Sequence, residues 1–187
     1  MNRVKAVFFD FDGTIFTLKM DWLNLKNNII SEFGLKISAE SNFMNNIYDL
    51  KNDKKKSQIL ARITFEELKG VENGKPDHGS IDFINFCRKK KYKLGVVSRN
   101  SRKAILSGLG KMRLSEIPVI GREDVRKLKP HPEGLIKMMS MLSVYRNECI
   151  YIGNDAVSDR RFAENAKVKF IHLKSWNEIK INCRSWN

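Results

Sequence analysis

The sequence is short of several residue types that would each have narrowed its chemistry. Its three cysteines, Cys87, Cys149 and Cys183, are too few and too scattered for a disulfide framework or a zinc site. They read as reduced, and two of them fall in apolar patterns where cysteine is a small hydrophobe. The three histidines, His78, His131 and His172, have no metal-ligand spacing, and His131, framed by prolines in KPHPE, reads as a turn residue. With only four prolines there is no proline-rich linker, and no repeat or low-complexity tract stands in for one. No apolar run nears the ~20 residues that span a bilayer. The opening MNRVKAVFFD runs straight into a strand without a signal-peptide pattern, so the expectation is a cytoplasmic protein with no membrane partner.

Acidic residues are also scarce, 21 against 35 basic ones, for a net charge of +14. Such a balance invites a nucleic-acid reading. The excess is diffuse, however: residues 17–76 hold ten basic and eight acidic side chains, leaving twenty-five against thirteen over the rest. The two lysine runs, Lys54-Lys55-Lys56 and Lys89-Lys90-Lys91, carry no interleaved aromatics on which bases would stack. The pattern favours a solvated basic surface that attracts small anions over a dedicated nucleic-acid face.

At 187 residues, 42% of them hydrophobic, the chain has the length of one domain, with or without an insertion, and can bury a real core. Strand-like segments cover Val4 to Phe9, Tyr92 to Ser98, Ile117 to Ile120, Glu148 to Gly153 and Val168 to Leu173. Helical patterns lie between them: SIDFINFCRKKK, with Ile81, Ile84, Phe86 and Cys87 inward, then SRKAILSGLG, PEGLIKMMSML and DRRFAENA. This alternation predicts an α/β fold, a doubly wound, Rossmann-like parallel sheet of about five strands covered on both faces. Functional residues should then gather at the carboxyl ends of the strands. One segment breaks the alternation. From Phe16 to about Pro76 no convincing strand is visible; three helical stretches fill it instead, with Gly34 and Gly70 as expected C-caps. The expected division is a core of residues 1–16 and 77–187 with a small helical insertion, 17–76, lying over the end of the first strand as a lid.

VFFDFDGTIF concentrates the functional question. Asp10 and Asp12 are two residues apart in an extended chain, so they project to one side and repel unless a proton or a cation separates them. The other strand ends bring Ser98 in SRNS, Lys129 in KLKPHPE, and Asn154, Asp155 and Asp159 in GNDAVSD. Each has an ordinary reading alone: Ser98 as a helix N-cap, Lys129 as a surface charge, Asp155 as the start of a helix. Their convergence on one rim from four strands is what points to chemistry.

These four motifs resemble those of the haloacid dehalogenase-like superfamily of phosphohydrolases: FFDFDGTI its first, VVSRNS its second, KLKPHPE its third and YIGNDAVSD its acidic fourth. The helical insertion matches the position of that superfamily's C1 cap, and the subfamily it suggests is phosphoglycolate phosphatase-like. The resemblance implies a Mg²⁺-dependent phosphatase with Asp10 as nucleophile, passing through an aspartyl-phosphate. Asp12 would be the general acid and base. Ser98, Thr14 and the backbone near Arg99 and Asn100 would hold phosphoryl oxygens, and Lys129 would offset their charge. Mg²⁺ would bind Asp10, the Asp12 carbonyl and a motif-four side chain. The substrate implied is a small phosphorylated metabolite of the phosphoglycolate or sugar-phosphate type. Asp12 sets the chain apart from the metal-free dehalogenase branch, which lacks a second Asp there. A phosphomutase of the same family is the nearest alternative, and a basic nucleic-acid-binding module on a degenerate scaffold the more distant one.

Two features depart from the family pattern. Motif two carries Arg99, which either reaches substrate or faces solvent. Motif four has Asn154 directly after its glycine, so alignment by that glycine assigns the metal to Asn154 and alignment by D-x-x-x-D assigns it to Asp155. A hard cation prefers the carboxylate, which favours Asp155, with Asp159 orienting Lys129 or a metal-bound water. In the insertion, Asp21, Trp22, Lys26, Glu66 and Glu67 are candidates for substrate selection.

Overall fold

The segment AVFF forms β1 (Ala6–Phe9), buried at all its positions. A strand with apolar side chains on both faces belongs at the centre of a covered parallel sheet, and β1 is there. It pairs in parallel with β4 (Lys93–Val97) on one side and β6 (Cys149–Gly153) on the other. Outside these lie β5 (Val119–Ile120) and β7 (Lys169–His172), giving the order β5-β4-β1-β6-β7. The computed structural model describes residues 3–39, 42–183 and 186.

Each crossover carries a helix. α4 (His78–Lys89) leads into β4, α5 (Arg102–Lys111) into β5, α6 (Glu133–Met141) towards β6, α7 (Ser158–Asn165) into β7, and α8 (Trp176–Asn182) follows β7. The alternation along β1 sorts them: Val7 and Phe9 share a core with α4, α5 and α8, and Ala6 and Phe8 share one with α6 and α7. The crossovers reverse direction at β1, which leaves a crevice at its carboxyl end. α4 begins earlier than its apolar pattern suggests, because Asp77 caps it by accepting from the Ser80 backbone N–H at 3.0 Å. Its buried stripe is accordingly Ser80, Phe83, Ile84 and Cys87; Ile81 and Phe86 are only partly buried.

Between β1 and α4 the chain makes α1 (Trp22–Glu32), α2 (Phe43–Tyr48) and α3 (Asp53–Asn73). These helices bury their own cluster, with Leu25, Ile29, Phe43, Ile47, Ile59 and Ile63 at its centre. Two short strands that the sequence did not reveal, β2 (Phe16–Thr17) and β3 (Lys75–Pro76), pair antiparallel where the chain leaves and returns. At two residues each they are too short to show a period. Gly34 sits in the left-handed region just past α1, as a C-terminal glycine should. Gly70 does not end a helix: it lies inside α3, and Gly74 is the cap. A Cβ at Gly70 would stand 3.3 Å from the Leu18 Cβ, and its carbonyl accepts from the Lys19 N–H at 2.9 Å. Close approach to the segment leaving the core explains the glycine.

Candidate active site

Asp10 directly follows β1 and is held in the sheet's line by its N–H, which donates to the Ile152 carbonyl at 2.9 Å. Its Oδ1 accepts from Lys129 Nζ at 2.7 Å. Lys129 is 5% exposed and also reaches Asp159 Oδ1 at 3.0 Å and the Tyr151 hydroxyl. Tyr151 in turn donates to the Val97 carbonyl at 3.2 Å. One buried ammonium thus stands between two carboxylates, one from the end of β1 and one from the first turn of α7. Burial pushes the Asp10 carboxyl up from its ordinary range, Lys129 pulls against that, and the like charge of Asp159 adds to the rise. Burial likewise raises Tyr151 far above the usual phenol, so it stays protonated.

Asp12 faces the base of the insertion. Its Oδ1 accepts from the Leu18 N–H at 3.0 Å and its Oδ2 from the Trp22 indole N–H at 2.9 Å. Burial raises its carboxyl, and these two donors only partly offset it. Thr14, expected beside the phosphate, is 1% exposed and stands outside the cavity lining; its hydroxyl donates to Asn154 Oδ1 at 3.1 Å. Gly13, between the two, has φ +74° and lies so close to Asn154 that a Cβ there would meet the amide nitrogen.

Ser98 follows β4, and its hydroxyl donates to Asn100 Oδ1 at 2.8 Å. It does not cap α5; Ser101 does, accepting from the Ala104 N–H at 3.2 Å. Asn100 and Ser101 are in turn held by Glu67 of α3: Oε1 accepts from Asn100 Nδ2 at 3.1 Å, Oε2 from the Ser101 N–H at 3.0 Å. Glu67 also pairs with Arg122 at 2.7 Å, and both side chains are 1% exposed. The Arg122 guanidinium continues to Thr64 Oγ1, while the Arg122 carbonyl accepts from the Tyr48 hydroxyl at 2.7 Å. Two helices of the insertion therefore grip one core residue. Arg122 was absent from the sequence reading, since a lone Arg in GRED has no pattern that announces a partner 55 positions away.

Asp155 precedes α7, and its Oδ1 accepts from the Val157 and Ser158 N–H groups at 2.9 and 2.8 Å. Burial alone would raise its carboxyl; those N–H groups and the nearby charges of Arg99 and Lys129 outweigh it and hold it low. Asp159 Oδ2 accepts from the Asp155 N–H at 3.1 Å, so it braces both the loop and Lys129.

These side chains surround a cavity of about 500 Å³ between the strand ends and the insertion. The core lends it Asp10, Asp12, Ser98, Arg99, Asn100, Lys129, Asn154, Asp155 and Asp159. Of the candidates in the insertion, Trp22, Lys26 and Glu67 reach it. Asp21 instead caps α1 through the Asn24 N–H, and Glu66 pairs with Arg62 and Lys69.

The model of haloacid dehalogenase-like hydrolases matches residues 7–173. The chain belongs to the haloacid dehalogenase-like hydrolase family. A haloacid dehalogenase-like hydrolase domain-containing protein of Arabidopsis thaliana is 27% identical over 163 residues; the match covers 84% of this chain and 66% of that protein. A pyrophosphatase, PpaX, of Bacillus cereus is 26% identical over 179 residues, covering 82% of this chain and 76% of the relative. Among solved structures, a protein from Lactobacillus plantarum inferred to be a phosphoglycolate phosphatase superposes with a TM-score of 0.74 at 19% identity, covering 96% of this chain and 99% of that one. The likeness of shape supports the fold that the haloacid dehalogenase-like hydrolases share, and phosphatases recur among the proteins it resembles.

Proposed function

We propose that this chain is a phosphomonoester hydrolase that acts on a small phosphorylated metabolite, of the phosphoglycolate or sugar-phosphate type, through an aspartyl-phosphate intermediate. One observation carries this reading: Asp10, at the end of the central strand and on the cavity wall, is held at 2.7 Å by a buried lysine, with a second carboxyl two residues further on. A carboxylate fixed in this way presents its free edge to an incoming phosphorus.

In the first step an Asp10 oxygen bonds to phosphorus while the bond from phosphorus to the leaving oxygen breaks, and the Asp12 proton passes to that oxygen. Water then attacks the phosphoryl group, Asp12 takes its proton, the bond to Asp10 breaks and inorganic phosphate leaves. Lys129, Ser98 and the N–H groups of the Arg99–Asn100 turn offset charge on the phosphoryl oxygens. Among the described residues no three carboxylates stand grouped as a metal site, but the oxygens of Asp10, Asp12, Asn154 and Asp155 line the cavity without His or Cys and are of the kind Mg²⁺ takes. When bound there, Mg²⁺ would neutralise negative charge between the nucleophile and the phosphate. A site enclosed by three inserted helices favours small substrates.

A phosphatase assay over a panel of phosphorylated metabolites, with and without a chelator, tests the reading. Activity that Mg²⁺ restores after chelation is the expected result. Asp10→Asn should lower turnover at least about a thousandfold while leaving the thermal unfolding profile in place. Residual hydrolysis near the parent level in the purified variant would overturn the covalent route.

A further inference from the structure

The carboxylates around the cavity all have partners. Asp10 and Asp159 share Lys129, Glu67 pairs with Arg122, Asp155 accepts from the Val157 and Ser158 N–H groups, and Asp12 accepts from Leu18 and Trp22. Three cations on the same wall do not. Lys26 comes from α1, Arg99 from the turn after β4 and Arg161 from α7. Among the described residues none of the three makes an ion pair or a side-chain hydrogen bond.

Arg99 and Arg161 are exposed, as other cations of this basic surface are, and their place on the cavity wall is what sets the three apart. Lys26 is half-buried, and burial lowers its ammonium from the ordinary range, with the charge of Arg99 lowering it further. A cation of the insertion and a cation of the core thus line one cavity near enough for each to feel the other's charge. Lys26 is half-buried and Arg99 exposed; their like charges repel, and an anion between them would remove that repulsion. The phosphoryl group has its own donors on the strand-end side, in Lys129, Ser98 and the turn beside them. Lys26, Arg99 and Arg161 are therefore surplus to it.

We propose that Lys26, Arg99 and Arg161 form a second anion-binding subsite, so that the preferred substrate is a small phosphomonoester carrying a further negative group, a carboxylate or a second phosphate. This rests on the phosphatase reading for the identity of the first group, but not for the existence of the subsite. It narrows that reading, since a neutral sugar phosphate would leave the three cations unanswered. Arg99, exposed but on the cavity wall, is thereby given a place at the substrate.

Non-hydrolysable probes separate the two claims. Calorimetric titration in the presence of Mg²⁺ would compare propylphosphonate, 3-phosphonopropanoate and propane-1,3-bisphosphonate. The two doubly anionic probes are expected to bind at least tenfold tighter than propylphosphonate, and whichever of them binds better identifies the group that the subsite prefers. Lys26→Met should remove most of that advantage, and Lys26→Glu should reverse it. Lys89→Met takes the same charge from the exposed surface outside the cavity and should leave the ratio unchanged. Equal affinity for all three probes in the parent protein would overturn the subsite, as would a ratio that survives Lys26→Met or falls equally in Lys89→Met. A protein that prefers the doubly anionic probes but hydrolyses no phosphomonoester would retain the subsite and lose the phosphatase reading.

Discussion

Asp12 is asked for opposite things by its surroundings. Burial favours its protonated form, which a general acid needs, while the Leu18 and Trp22 N–H groups favour the carboxylate. Trp22→Phe removes one of those donors and nothing else of similar polarity, so the Asp12 carboxyl should rise further. Activity that requires the Asp12 proton declines as pH climbs through that value. The alkaline limb of kcat/KM is therefore expected at higher pH in Trp22→Phe than in the parent, and a limb that stays put or moves down would exclude Asp12 as the acid. At the other end of the site, Asn154 already accepts from Thr14, whereas Asp155 has one oxygen on backbone N–H groups and brings a negative charge. Asp155→Ala should raise the Mg²⁺ concentration for half-maximal activity at least about tenfold, and more than Asn154→Ala does. The opposite order in a Mg²⁺ titration would assign the ligand to the amide. Loss of the acceptor for the Val157 and Ser158 N–H groups in Asp155→Ala should also cost about 1 kcal/mol of stability, read separately by urea unfolding.

At the scale of elements, α3 is more than a cover. Its Glu67 enters the core and holds the turn that carries Ser98, Arg99 and Asn100, so a short loop in place of the insertion would remove a support of the site itself. Glu67→Gln leaves the buried Arg122 charge with only the half-exposed Glu123, 3.6 Å away, as counter-ion and should cost about 3 kcal/mol in urea unfolding. Glu67→Met combined with Arg122→Met removes both charges and should recover most of that loss. Turnover should nevertheless remain at least about tenfold down, because Asn100 and Ser101 have lost their acceptor; full recovery of kcat would make the pair purely structural. The helices themselves were legible from apolar spacing. What spacing cannot show is which polar residue of one helix meets which of another, and Glu67 looked as eligible for solvent or substrate as Glu66 beside it. Gly70 misled for a related reason: glycine marks a helix end only when no neighbouring backbone needs the room.

On the scale of the whole molecule, the parallel sheet was readable because strands buried on both faces leave continuous apolar runs, and the site was readable because that topology sends strand ends to one rim. Tyr151 was hidden by the same logic, since a tyrosine inside such a run counts as core until its hydroxyl is found against Lys129. A net charge of +14 gives the molecule as a whole a field that attracts anions. For an anionic substrate kcat/KM should fall about three- to tenfold between roughly 20 and 200 mM salt, with kcat nearly constant, because screening slows encounter and not the step after it. A salt-independent kcat/KM in steady-state assays would show that the surface excess plays no part in capture.

The grip of two inserted helices on Arg122 also bears on how the chain comes apart. A form with the core intact and α2 and α3 detached would strip the guanidinium of Glu67 and Thr64 and the carbonyl of Tyr48 at once, next to a loosened Asn100 turn. Such a half-folded species is penalised at both of its surfaces, so the insertion and the sheet are expected to melt together, in one transition by circular dichroism and calorimetry.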